Sequence, residues 1–84
     1  MNRVFFTSRA ITYAQRMERI LRKNGIPASI ERPELRLGEN GCAYAVVISQ
    51  GYLPEAVETL RRGGMIPVKI FLEEDFSDYR EIKL

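Results

Sequence analysis

The chain has 84 residues, thirteen of them basic and eleven acidic, with no histidine and one cysteine, and carries a net charge of +2. That length suits one domain around one modest core, and a hydrophobic fraction of 45% with 29% charged residues is the make-up of an ordinary soluble globule. The absence of histidine excludes Ser-His-Asp and imidazole acid–base chemistry, and a lone cysteine allows neither an internal disulfide nor a Cys/His zinc cluster.

Met1-Asn2-Arg3 leads into only a short apolar run before Ser8 and Arg9, so no cleavable leader is expected. No apolar run nears the ~20 residues that span a bilayer. With the unpaired cysteine, this points to a reducing, cytoplasmic setting with no membrane partner. Charge is divided unevenly, because residues 1–42 hold eight basic against four acidic side chains. That excess is too small to argue for a nucleic-acid partner, and the small core makes a homodimer plausible.

Val4, Phe5 and Phe6 are β-formers, and Thr7 and Ser8 after them read as a strand end and helix N-cap. From Arg9, the apolar residues Ala10, Tyr13, Ala14, Met17, Ile20 and Leu21 recur at three and four, which predicts a helix packed by one face. Asn24-Gly25 stops it and Pro27 bars its continuation, so Ala28 to Glu31 form a second strand.

A polar loop over 33–41, with Gly38 and Gly41, then delivers Cys42 to the start of a third strand over 43–48, whose nearly continuous apolar character suits an interior position. Pro54 fits the first turn of a second helix with Leu53, Ala56, Val57 and Leu60 on its packed face. Gly63-Gly64 ends that helix, and 67–71 form a fourth strand. For the acidic extension over 73–84, a short edge strand, a partner-binding segment and a frayed end are all open readings.

One internal echo bears on architecture. Leu21-Arg22-Lys23-Asn24-Gly25-Ile26-Pro27 returns, with one residue inserted, as Leu60-Arg61-Arg62-Gly63-Gly64-Met65-Ile66-Pro67. Two strand-helix-strand halves in tandem predict an α+β, ferredoxin-like βαββαβ two-layer sandwich over 1–72. In that topology Cys42 falls near the start of the first helix, beside Thr7, Ser8 and Arg9, and near the lead-in to the fourth strand around Met65 and Ile66. A thiolate there is favoured by a helix N-terminus and by the cations Arg36 and Arg9, with the backbone of the loop from Gly38 to Gly41 as a further anion contact. A small apolar plug is the competing reading for Cys42, and a purely conformational role competes for the glycines.

The helix pair Ala14 and Glu18, the exit Gly25-Ile26-Pro27, and Pro33, Arg36 and Gly41-Cys42 at their mutual spacing together resemble the selenium/sulfur carrier-like family of small proteins. Leu35 stands where that pattern has a second proline, and Ala43 where it has a glycine after the cysteine. The resemblance implies a carrier that holds a persulfide or selenium adduct on Cys42, fed by a sulfur-donor protein and emptied by an acceptor protein, with no cofactor of its own. The alternative is a non-catalytic binding or regulatory module for a protein, a small ligand or RNA. For RNA, Phe5 or Phe6 with Tyr44 would serve as stacking rings.

Overall fold

A computed structural model describes residues 2–32, 44–74 and 78–83. The elements run β1 (Arg3–Ser8), α1 (Ile11–Lys23), β2 (Ser29–Glu31), β3 (Tyr44–Ser49), a 3-10 turn over Gln50–Tyr52, α2 (Leu53–Arg62), β4 (Ile70–Glu73) and β5 (Tyr79–Ile82). The five strands form one antiparallel sheet in the order β2-β3-β1-β4-β5. Among the described residues no helix is long and apolar enough to cross a membrane.

The period-2 alternation of β1 decides which side chains go where. Val4 and Phe6 point to the helix side and join Val46, Ile48, Ile70 and Leu72 from the neighbouring strands. Against them pack Ala14, Met17 and Leu21 from α1, and Ala56 and Leu60 from α2. Phe5 points the other way and meets Ala45, Val47 and Phe71, with Tyr79 packed on this second cluster. Both phenylalanines are therefore interior, at 1% and 0% exposure, but on opposite faces of the sheet.

The sequence echo is a repeated helix exit. After α1, the N–H of Ile26 donates to the carbonyl of Leu21 and that of Gly25 to Arg22. After α2, Met65 donates to Leu60 and Gly64 to Arg61. Each is a Schellman motif. Its left-handed position is Gly25 at φ 80° in one copy and Gly64 at φ 73° in the other. The apolar residue that follows, Ile26 or Met65, is buried.

Two boundaries differ from the sequence expectation. Thr7 and Ser8 belong to β1, and the N-cap is Ala10, an exposed residue whose side chain makes no capping bond. The reason is tertiary: Ser8 pairs with Tyr44 and Thr7 with Ala45, so β1 is held extended two residues further than its own propensity indicates. β4 starts at Ile70, three residues later than expected. Pro67 has no N–H to give, and the N–H of Lys69 donates to the Thr7 hydroxyl (2.9 Å) in place of a strand carbonyl. Of the readings open for 73–84, the edge strand is the one observed: Tyr79–Ile82 pair with β4.

Candidate functional site

The residues expected around the thiol divide into two sets. Cys42, Arg36 and Gly41 lie outside the described residues. Ser8 and Arg9 are described, at the end of β1 where α1 begins. Ser8 pairs with Tyr44, and Ala45 pairs with Glu31, so the last described residues before and after 33–43 stand at this same end of the sheet.

Ser8 is buried, and its hydroxyl is used locally. It donates to the carbonyl of Ala10 (2.8 Å) and accepts the N–H of Ala10 (3.3 Å), closing a tight turn ahead of the helix. That makes Ser8 a former of the rim and not a side chain offered to a ligand. Arg9 is exposed beside it. A second cation, which the sequence reading did not single out, stands at this end: exposed Arg32 holds its guanidinium 5.7 Å from the centre of the Tyr44 ring. The signal for it was available, since Arg32 follows a strand residue and Tyr44 opens the next strand.

The lead-in to β4 reaches this end of the sheet, through Val68 and Lys69 as well as Ile66. Val68 donates its N–H to the carbonyl of Thr7 (3.0 Å) and Thr7 donates to Lys69 (2.9 Å), which brings Val68 and Lys69 alongside the end of β1. Ile66 is held at this end too, on the first turn of α1. The hydroxyl of Tyr13 accepts its N–H at 2.8 Å and donates to its carbonyl at 3.2 Å, fixing that backbone to α1 while the isoleucine side chain stays 79% exposed.

The proposed stacking platform is not available as such. Phe5 and Phe6 are both buried, so neither ring can receive a base. Phe5 is already engaged by Tyr79, edge to face at 5.4 Å, and by the Arg3 guanidinium at 5.1 Å.

Arg3 heads a charged cluster that sequence reasoning missed altogether. Its Nε and Nη2 donate to the two carboxylate oxygens of Glu73 (both 3.0 Å), and its Nη1 donates to Glu31 at 3.0 and 3.1 Å. One guanidinium thus joins β2, β1 and β4. The forked hydrogen bonds from Arg3 hold the Glu73 carboxyl below the usual range. Burial first, and then the Glu73 charge, push the Tyr79 phenol up; its hydroxyl also donates to Glu73 at 3.3 Å. Among the described residues no three Asp, Glu or Cys side chains come together as a metal-holding group.

A cleft lies on the helix side, between α2 and β4. It has a volume of about 340 Å³, at the small end of the range of roughly 300–1,000 Å³ usual for small-molecule sites. Its walls are Phe6, Val57, Leu60, Met65 and Ile70, with Ile66 and Arg61 also lining it. Among the described residues, Arg61 is the only charged one in that lining. No family model, curated protein or solved structure matches this chain.

Proposed function

We propose that this chain is a ferredoxin-like carrier domain that holds sulfur or selenium on Cys42 and passes it to a partner protein. The ferredoxin-like assignment is supported by the order β2-β3-β1-β4, by antiparallel pairing throughout, and by two helices leaving through the same motif, with β5 added outside β4.

The carrier reading rests on one observation: the Ser8–Tyr44 register brings the chain, two residues after Cys42, to the start of α1, where exposed Arg9 and Arg32 also stand. Positive charge and a helix N-terminus both favour a sulfur anion. The transfer balances without an added oxidant. The Cys42 thiolate attacks the outer sulfur of a donor persulfide; the new S–S bond forms as the donor's S–S bond breaks and its thiolate leaves. An acceptor nucleophile then takes that outer sulfur and the Cys42 thiolate departs. Intact-mass spectrometry of protein purified without reductant should show an added sulfur or selenium atom that is lost on treatment with thiol. Cys42→Ser should never carry it, and a Ser variant loaded to the same extent overturns the reading.

A second reading, the non-catalytic binding module, is favoured by the apolar cleft between α2 and β4 and by the exposed isoleucine fixed beside it. Burial of Phe5 and Phe6 counts against base stacking on these two rings of the sheet.

A further inference from the structure

We propose that the cleft between α2 and β4 binds a small amphipathic anion, an apolar body carrying one carboxylate, with Arg61 meeting the charge. This deepens the binding-module reading and is independent of Cys42. The floor of the cleft is made by side chains that are almost wholly buried, Phe6, Leu60, Met65 and Ile70. An occupant there exchanges water for a preformed apolar surface.

The polar groups of the wall explain why the head of the ligand should be anionic. The N–H groups of Gly64 and Met65 are spent on Arg61 and Leu60, that of Ile66 on Tyr13, and Pro67 has none. Among the described residues of that wall, the guanidinium of Arg61 is therefore the donor left to meet a ligand. It is 72% exposed, and its contact with Glu58 is long, at 3.8 Å, between two exposed side chains, so turning toward a ligand gives up little. The end of a helix ordinarily repels an anion through its bare carbonyls. Here the carbonyls of Thr59, Leu60 and Arg61 already accept from Gly63, Met65 and Gly64, which blunts that repulsion.

The wall is also fixed before binding. The Tyr13 hydroxyl grips both backbone groups of Ile66, so the loop does not have to be ordered by the ligand.

The test uses sodium octanoate, below its micelle concentration, and octanol as the uncharged match, each titrated into the methyl-labelled full chain. Saturable octanoate shifts are expected at Val57, Leu60, Met65, Ile66 and Ile70, with octanol roughly two- to fivefold weaker, the size of one ion pair at an exposed site. Arg61→Met should bring the two ligands to equal affinity, Arg61→Lys should keep part of the difference, and Val57→Trp, checked for folding by circular dichroism, should abolish both. If octanol matches octanoate in the unaltered protein, the anionic proposal falls while the cleft remains a binding site. If neither ligand gives saturable shifts at these methyls, the proposal and the binding-module reading of this cleft fall together.

Discussion

Arg3 makes five side-chain interactions from one exposed strand position: four hydrogen bonds to Glu31 and Glu73 and a cation–π contact with Phe5. Its worth is geometric as much as electrostatic, because a guanidinium fork fixes the spacing of the strands it joins. With both ends partly exposed, solvent screening trims the gain, and Arg3→Met is expected to cost about 1 kcal/mol. In a domain of this size that corresponds to a fall in Tm of roughly 4–8 °C, readable by calorimetry. The same contacts set a pH dependence. Glu73 titrates lower when folded than when unfolded, so its contribution is complete above the ordinary carboxylate range and is lost as the pH falls through the folded value. Urea midpoints should therefore drop on acidification, and Arg3→Met should flatten that limb. Tyr79 acts at the other end: its raised pKa gives a contribution intact below about pH 10 and lost as the pH climbs through the folded value. Tyr79→Phe should soften the alkaline loss.

At the scale of elements, the two helix exits show what a short stretch of sequence can specify alone. Gly25 and Gly64 each occupy the left-handed region, and a Cβ added at either would meet nothing within 4 Å. The cost of Gly25→Ala or Gly64→Ala is therefore backbone strain and not collision, about 1 kcal/mol each by chemical denaturation, with Asn milder at both. Helix exits, the Pro54 start and the buried stripe of α1 were all readable because their causes lie within a few residues. The start of α1 was not. Thr7 and Ser8 have the chemistry of caps, but Ala45 and Tyr44, more than thirty-five residues away, claim them for the sheet. The late start of β4 has the same kind of cause, a hydroxyl on β1 that takes the Lys69 N–H. For the candidate site, topology alone placed the chain flanking Cys42 near Ser8. The Arg32–Tyr44 contact, the Arg3 cluster and the Tyr13 grip on Ile66 depend on partners across the fold, to which no spacing rule applies. Tyr13→Phe keeps the ring and removes the grip, so hydrogen exchange at Ile66 should accelerate by about tenfold, the loss of one modest hydrogen bond.

The whole molecule is two-sided. One face of the sheet is covered by α1 and α2, and the other carries its own apolar cluster of Phe5, Ala45, Val47 and Phe71 capped by Tyr79 from the edge strand. β5 thus does more than lengthen the sheet, since its ring seals the central phenylalanine and its neighbour Glu81 pairs with Lys69 (3.9 Å). Tyr79→Ala should expose Phe5 and cost 3 kcal/mol or more by the usual measure of an aromatic truncation, discounted to about 2 because Tyr79 is only partly buried. Binding of an apolar dye should rise in parallel if the second cluster opens.

Strand order carries one more consequence, for the making of the protein. β1 precedes the other four described strands in the chain, yet both its neighbours, β3 and β4, come later, and β4 later by more than sixty residues. As the chain leaves the ribosome, the segment bearing Val4, Phe5 and Phe6 must wait with its ladder groups open until Ile70 to Glu73 have cleared the exit tunnel. Nascent chains arrested before that point should be digested readily by protease, and those released beyond β5 should resist it.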